Sequence, residues 1–135
     1  MLDASVITSY LLGEENSGKT YSILRTEIER GFRPLTLEFA YIEVANALWR
    51  ACALRDLLNA KAVLESITSL YSLPLDPARL DEELTTRATK LALDAKLPVY
   101  DTVYIALAER ERAALLTSDR KQHSEAQKHV EAVLL

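Results

Sequence analysis

Four carboxylates spaced along this sequence have the chemistry to hold a divalent cation. They are Asp3, Glu43, Asp101 and Asp119. Carboxylate oxygens suit hard cations, and a site without His or Cys ligands favours Mg²⁺ or Mn²⁺ with several retained waters. A cation held in this way makes water a better nucleophile and stabilises the charge that develops on a phosphate. The four residues therefore predict metal-dependent hydrolysis of phosphodiester bonds.

Each carboxylate also has a purely structural interpretation. Asp101 follows a proline break and would make a good helix N-cap, and Asp119 would cap the last helix in the same way. Glu43 lies in an apolar stretch where an unpaired charge is rarely left, although Asn46 or Arg50 could be its structural partner. One such acid would mean little. Four acids that can reach one edge of a sheet indicate a shared counter-charge.

Short apolar strands alternating with long helices must position these acids. The pattern predicts strands at Met1–Leu2, Pro34–Leu37, Ser72–Leu75, Ala114–Leu116 and Ala132–Leu135. Helical spacing of apolar residues predicts helices at Val6–Leu12, Lys19–Arg30, Glu38–Leu57, Asn59–Leu70, Ala78–Ala95, from about Asp101, and at Ser124–Val130. This alternation implies a parallel sheet covered on both faces. Because ligands bind beyond the carboxyl ends of such strands, the acids that directly follow a strand are expected at one edge.

The composition fits one soluble α/β domain over residues 1–135. Hydrophobic residues make up 49% of the chain, and three Gly and four Pro are too few for a turn-rich all-β fold. No apolar run approaches the length of a membrane span, and Asp3, Glu14 and Glu15 interrupt any leader-like segment. Cys52 stands alone, so no disulfide framework is expected. A cytoplasmic location is expected from these features.

The net charge of −4 argues weakly against a passive nucleic-acid binder. Such binders are usually basic, because Lys and Arg supply most of the contacts with phosphate. A bound divalent cation reverses the local charge, so an acidic enzyme can still meet a phosphate. His123 and His129 are six residues apart and do not share a helix face, so both are expected at the surface and zinc is not expected.

Two hydroxyl residues flank the first and last acids. Ser5 lies two residues after Asp3, and Thr117 lies two residues before Asp119. In these places their hydroxyl groups could orient water at a metal. Ordinary turn and capping chemistry is the alternative interpretation of both.

The segments that carry the acids resemble the four acidic motifs of PIN domains. More narrowly, they resemble those of VapC-like toxins from prokaryotic toxin–antitoxin pairs. The segments are Leu2-Asp3-Ala4-Ser5, Glu43-Val44-Ala45-Asn46-Ala47-Leu48, Tyr100-Asp101-Thr102-Val103-Tyr104-Ile105-Ala106-Leu107-Ala108 and Leu116-Thr117-Ser118-Asp119. Each motif alone is weak, but the ordered set covers nearly the whole chain and is specific.

The resemblance implies a PIN-like, three-layer α/β/α fold with a five-stranded parallel sheet of order 3-2-1-4-5. It implies an Mg²⁺- or Mn²⁺-dependent endoribonuclease that acts on RNA. The acids that it implies as catalytic and metal-binding are Asp3, Glu43, Asp101 and Asp119. The supporting positions that carry over are Ser5, Asn46 and Thr117. It also implies a homodimer, a small antitoxin protein that covers the acidic pocket, and DNA binding only through that antitoxin.

Two departures from the pattern bear on these expectations. Only Met1 and Leu2 precede the first acid, so either the first strand is unusually short or the true start lies upstream. Arg120 and Lys121 follow the last acid in place of a further carboxylate, which leaves a second metal site without that ligand. These two cations and Arg50 are candidates for contact with the RNA backbone. For Arg120 and Lys121 a solvated helix start is the alternative.

Two other function classes compete with the enzyme. A PIN-like interaction module that dimerises and binds a partner protein is the main alternative, but a scaffold has no use for four carboxylates that repel one another. A phosphate-accepting aspartate is the third interpretation. It would require a second Asp two residues after Asp3 or a pair of acids after the first strand, and Ser5 occupies the first of those positions.

Overall fold

The computed structural model describes residues 1–13 and 17–135, so Glu14 and Glu15 lie outside the described residues. Within those ranges the helices are α1 (Ala4–Leu12), α2 (Ser17–Glu29), α3 (Ala40–Ala53), α4 (Ala60–Ser72), α5 (Glu82–Ala95), α6 (Val99–Glu111) and α7 (Arg120–Ala126). The strands are β1 (Leu35–Leu37), β2 (Asp76–Ala78), β3 (Leu115–Thr117) and β4 (Ala132–Leu134). None of the described helices combines the length and the apolar character that crossing a membrane requires.

The strands form two parallel pairs that meet at the first residues of the chain. β1 pairs with β2, and β3 pairs with β4. Leu2 lies between the pairs, because its N–H donates to the carbonyl of Leu35 over 2.8 Å and it forms a parallel bridge with Leu116. The order across the molecule is therefore β2, β1, Leu2, β3 and β4.

The predicted α/β fold is confirmed, but the predicted continuous five-stranded sheet is not. Each named strand has three residues, and the central segment contributes only the single bridge at Leu2. The physical reason is local. Asp3 already caps α1, so the chain turns out of the sheet immediately after Leu2. The three-layer arrangement stays a prediction.

The predicted strand at Ser72–Leu75 is wrong. Helix α4 runs through Ser72, and β2 begins at Asp76, whose N–H donates to the carbonyl of Pro34 over 2.9 Å. Pro77 lacks an N–H and looked like a strand stop. It is tolerated because β2 is paired on one side only, with β1. The apolar residues predicted a strand in this part of the chain, but the observed strand begins four residues later than the predicted one.

The helix that carries Asp101 begins earlier than predicted. Pro98 occupies the N-cap position and α6 begins at Val99, which places Asp101 inside the first turn. The interpretation of Asp101 as an N-cap is therefore wrong. Asp119 does cap a helix, as its structural interpretation predicted, although α7 begins at Arg120 and not at Ser124.

Helix α6 passes through the centre of the molecule. Its residues from Thr102 to Ala108 are all buried, and it packs along α5 and against β3 and α7. The Thr102 hydroxyl donates to the carbonyl of Ala88 over 2.8 Å and so ties α6 to α5. This burial fixes the start of the helix. Asp101 consequently stands at the point where α6 leaves the core.

Candidate active site

Asp3 is the most constrained of the predicted site residues. Its side chain is only 4% exposed and caps α1, because Oδ1 accepts the backbone N–H groups of Ser5 at 2.8 Å and Val6 at 3.1 Å. The Ser5 hydroxyl donates to the same oxygen, and the Thr117 hydroxyl donates to Oδ2, both over 2.6 Å. Burial raises the pKa of Asp3, and these four hydrogen bonds act against that rise.

The two flanking hydroxyls join the first motif to the last. The Ser5 hydroxyl accepts the N–H of Ser118 over 2.8 Å, and the Thr117 hydroxyl accepts the N–H of Asp119 over 2.9 Å. Because both hydroxyls accept from the backbone, their own protons point to Asp3. Ser5 and Thr117 therefore hold the Asp3 carboxylate in one orientation. This is a capping and turn role, as their structural interpretation predicted, and it is carried out at the site itself.

Asp119 stands beside the same network. Its Oδ1 accepts the N–H groups of Lys121 at 2.7 Å and Gln122 at 2.8 Å, which begins α7. The buried Gln122 side chain then donates to the carbonyl of Asp101 over 2.9 Å. Gln122 thus links the helix of the last acid to the helix of Asp101. Sequence reasoning missed it, although a Gln three residues after an N-cap is a recognisable spacing.

Glu43 is held by a tyrosine that sequence reasoning did not assign. The hydroxyl of Tyr104, which is 2% exposed, donates to Oε2 of Glu43. Burial raises the pKa of Glu43 and the hydrogen bond lowers it, while Asp3 and Asp101 raise it further. Burial and the nearby Glu43 raise the pKa of Tyr104, so it stays a donor. Tyr104 lies three residues after Asp101, about one helical turn, and this spacing is the sequence feature that could have identified it as part of the site.

Among the described residues, neither Asn46 nor Arg50 bonds to Glu43, so neither is its structural partner. Both face the same groove as Glu43, together with Tyr100. Arg120 and Lys121 are exposed in the first turn of α7, next to Asp119.

Asp101 has no hydrogen bond or ion pair from its side chain within the described part of the chain. Burial, followed by the charges of Asp119 and Asp3, raises the pKa of Asp101 to about 6. Asp3 and Asp101 also raise the pKa of Glu43, so Asp101 interacts electrostatically with each of the other three carboxylates. We call these four residues, Asp3, Glu43, Asp101 and Asp119, the acidic edge. No cation of the described chain forms an ion pair with any of them.

The acidic edge offers only oxygen donors, and the charged forms of Asp3, Glu43 and Asp101 are disfavoured, first by burial and then, for Glu43 and Asp101, by repulsion from neighbouring acids. Both features fit a hard divalent cation, which would neutralise the repulsion. Nowhere among the described residues do three His, Cys, Asp or Glu side chains lie close enough to share one ion. One or two of these carboxylates would hold such a cation, with waters and substrate phosphate as its other ligands.

Comparison with known proteins identifies a family by sequence and a similar fold by structure. A sequence model of the family described as PIN domain matches residues 1–128. The chain is 33% identical over 124 residues to Ribonuclease VapC3 of Pyrobaculum aerophilum, a match that covers 90% of this chain and 89% of that protein. Its fold resembles the crystal structure of PAE2754 from Pyrobaculum aerophilum, with a TM-score of 0.71 and 20% identity over 98% of this chain and 81% of the other.

Proposed function

Because this chain belongs to the PIN domain family, we propose that it is an Mg²⁺- or Mn²⁺-dependent endoribonuclease and the toxin of a toxin–antitoxin pair. The observation that carries the proposal is the acidic edge, where Asp101 interacts electrostatically with the other three carboxylates and no cation of the described chain pairs with any of the four. The similarity to a protein named Ribonuclease VapC3 supports RNA as the substrate.

The acidic edge would hold the cation through one or two of its carboxylates, using oxygens that remain free. Asp3 Oδ1 already accepts three hydrogen bonds, whereas Oδ2 accepts one, so Oδ2 is the oxygen with capacity for a ligand. In Asp119, Oδ1 accepts two backbone N–H groups and Oδ2 is left available. Asp101 offers both oxygens. A bound Mg²⁺ or Mn²⁺ would supply positive charge at the phosphate and make water a better nucleophile.

In the proposed reaction, water hydrolyses one phosphodiester bond, and residues of the chain hold the acidic side chains in position. A water oxygen bonds to phosphorus, one ester P–O bond breaks, and the leaving oxygen takes up the proton that water gives up. Ser5 and Thr117 fix the Asp3 carboxylate, and Tyr104 fixes Glu43, so these acids need little reorganisation when the reaction begins. Repulsion within the acidic edge favours protonated carboxylates when no cation is bound. Binding of a cation is therefore coupled to the release of protons.

The proposed partners follow from the toxin assignment. A small antitoxin protein would cover the acidic edge and keep the nuclease inactive, and DNA would be bound only through that antitoxin. A homodimer is part of the same proposal. Ile42 and Trp49, two large apolar side chains on one face of α3, are 62% and 53% exposed and offer a surface for such contacts.

Mn²⁺ titration by calorimetry tests the proposal without a guess about the RNA. We expect saturable binding in the wild type and none in the Asp3→Asn/Asp101→Asn variant, because two of the proposed ligands lose their charge. The matched control is Glu83→Gln/Asp94→Asn, which removes two exposed charges from α5. Circular dichroism establishes that each variant is folded. Absence of binding in the wild type would overturn the metal-dependent function.

RNA cleavage separates the enzyme from a catalytically silent interaction module. The proposal predicts metal-dependent cleavage of RNA by the wild type and its loss in Asp101→Asn. Identical cleavage traces for the two proteins would count against catalysis by this site. In that case the exposed apolar side chains of α3 and a search for a protein partner would become the better guide.

A further inference from the structure

A groove leads away from the acidic edge along one side of α3. It is bounded by α1, α3 and the first turn of α6, and its volume is about 620 Å³. This is within the range of pockets that hold small organic ligands, about 300–1,000 Å³. We call it the α3 groove and define it by Thr8, Glu43, Asn46, Arg50 and Tyr100. Glu43 belongs to both, so the groove and the acidic edge are continuous.

Arg50 is the cation of the α3 groove. Among the described residues it forms no ion pair, and it is exposed in the last turn of α3. Glu43, Asn46 and Arg50 lie on one stripe of the helix, since their spacings are three and four residues. At about 1.5 Å per residue, Arg50 stands about 10 Å from Glu43 along the helix axis. The rise per phosphate along the axis of one stacked strand is about 3.4 Å, so Arg50 is placed to meet a phosphate a few nucleotides from the scissile one.

Tyr100 supplies an aromatic surface at the other end of the groove. It is 54% exposed, although the seven residues of α6 from Thr102 to Ala108 are all buried. Within the described residues its ring has no aromatic contact, whereas Tyr10 stacks on Tyr21 and Tyr41 contacts Tyr71. Tyr100 lines the same groove as Glu43, so a base stacked on its ring lies near one of the proposed catalytic acids. An exposed aromatic ring and a cation that line one groove are the usual composition of a single-strand binding surface.

We infer that the α3 groove seats one unpaired nucleotide next to the scissile phosphate, with its base on Tyr100 and a backbone phosphate further along the strand on Arg50. This assigns Tyr100 and Arg50 as positioning residues that select unpaired RNA. A base inside a duplex has both faces covered by its neighbours, so it cannot stack on the ring. Asn46 and Thr8 supply side-chain donors and acceptors for the edge of the seated base. The inference rests on the proposed function, because it takes RNA as the ligand.

RNA binding tests the inference separately from cleavage. The probe is a fluorescein-labelled single-stranded oligoadenylate of about 12 nucleotides, a length within the usual single-strand site size. Anisotropy is measured with the Asp101→Asn protein so that the RNA stays intact. Tyr100→Ala is expected to weaken binding about tenfold, which is the size of effect that loss of one stacked base produces. Tyr100→Phe is expected to keep wild-type binding, because stacking uses the ring and not the hydroxyl.

Three further variants and a second probe separate base stacking and the phosphate contact from any structural effect of the substitutions. Tyr71→Ala, the same change at an exposed tyrosine of α4 outside the groove, is the matched control. A probe with an abasic tract should bind equally to the protein that keeps Tyr100 and to the Tyr100→Ala variant, whereas the oligoadenylate should not. Arg50→Ala should weaken binding of both probes and reduce the salt dependence, because a phosphate contact is lost. Arg55→Ala removes the same charge outside the groove and should leave the salt dependence unchanged.

Two outcomes distinguish this inference from the proposed function. If Tyr100→Ala and Tyr71→Ala bind the oligoadenylate alike, the inference is wrong, even if the wild type binds Mn²⁺ and cleaves RNA. If the stacking effect is present but the wild type neither binds Mn²⁺ nor cleaves RNA, the groove stands and the nuclease assignment fails. A KM that rises in Tyr100→Ala with kcat unchanged would support a binding role in the active enzyme.

Discussion

Two regions of this molecule place acidic side chains in opposite electrostatic surroundings. On the face of α5 and α6, Glu109 accepts two hydrogen bonds of 2.8 Å from Arg87, and Arg110 meets Asp81 at 2.6 Å. These partners lower the pKa of Glu109 and of Asp81, the latter with the helix N–H of Leu84 as the largest cause. We call this region the paired face. At the acidic edge, burial raises the pKa of Asp3, Glu43 and Asp101, and neighbouring acids raise those of Glu43 and Asp101 further.

This difference in pKa separates acids that are neutralised by a cation of the chain from acids that have no such partner and could bind a cation from solution. Exposed ion pairs such as those of the paired face contribute little to stability, typically up to about 1 kcal/mol each. Carboxylates that lie close together and partly buried without a cation reduce stability, because each raises the cost of ionising the next. The acidic edge, where two such acids follow central strands and two lie in the first turns of α3 and α6, gives up stability at a place where a cation and a phosphate could restore it.

The largest expected effect comes from making the same change in both regions. Asp101→Asn should reduce RNA cleavage at least about a hundredfold, because it removes a proposed metal ligand and such losses exceed those of supporting groups. Glu109→Gln at the paired face removes the same charge and should leave cleavage within about twofold of wild type, since exposed ion pairs contribute little. Initial rates at saturating Mn²⁺ provide the comparison. Equal losses in both variants would show that net charge and not the site is responsible.

The next effect is on thermal stability in the presence of metal. At a Mn²⁺ concentration about one hundred times its Kd, binding should stabilise the wild type by about 2.7 kcal/mol. Glu109→Gln should keep this stabilisation, and Asp3→Asn/Asp101→Asn should lose it. Differential scanning fluorimetry measures the shift in Tm. A shift that persists in the double variant would place the binding of Mn²⁺ elsewhere on the chain.

The two regions should also respond oppositely to pH when no metal is present. A raised folded pKa means that protonation stabilises the fold, so the contribution of Asp101 is complete at low pH and is lost as pH rises through about 6. The pKa of Glu109 is lowered in the folded protein, so its effect on stability is the reverse. Its stabilising contribution is present above the pKa of Glu109 in the unfolded chain and is lost only as pH falls below that value. Between about pH 7 and 5 the acidic edge therefore determines how stability depends on pH, and Tm should rise as pH falls.

Saturating Mn²⁺ should reverse that trend, because protons and the cation compete for the same oxygens. The measurement is Tm against pH with and without Mn²⁺. Asp101→Asn should flatten the metal-free rise between about pH 7 and 5, because it removes the group that titrates there. A metal-free Tm that falls over this range would contradict the assignment of repulsion to the acidic edge.

A smaller effect is expected from the support of Glu43. Tyr104→Phe removes the hydroxyl that donates to Glu43 and so removes a cause that lowers its pKa. Mn²⁺ affinity should fall about tenfold, as for other groups that orient a ligand, and stability by about 1 kcal/mol. Calorimetry and urea unfolding measure the two. Loss of stability with unchanged Mn²⁺ affinity would make Tyr104 a core residue only.

The smallest effect is expected at the paired face itself. Arg87→Ala breaks the ion pair with Glu109, and both side chains are partly exposed to solvent. Unfolding free energy should fall by less than about 1 kcal/mol, and Mn²⁺ affinity and cleavage should stay at the wild-type level. Urea unfolding and calorimetry check this. Weakened Mn²⁺ binding would mean that the two regions are coupled and that the comparison drawn above does not hold.

The sequence by itself determined the α/β class, the four acids and the two hydroxyls beside them, because these depend on local patterns. Apolar runs indicate strands and helices, and a carboxylate in an apolar stretch stands out wherever the chain later carries it. Local patterns were also the source of the errors. They placed a strand at Ser72–Leu75, because an apolar run alone does not say which residues will find a partner strand.

Tertiary structure decided how the acids are held. The Tyr104 hydroxyl reaches Glu43 across 61 residues of sequence, and the Thr117 hydroxyl reaches Asp3 across 114. It also decided that Asp101 lies inside the first turn of α6, without a capping partner. Hydrogen bonds of this range depend on the positions of whole helices and strands. The spacing of residues along the chain therefore names the participants, and only the packed core fixes which atoms meet.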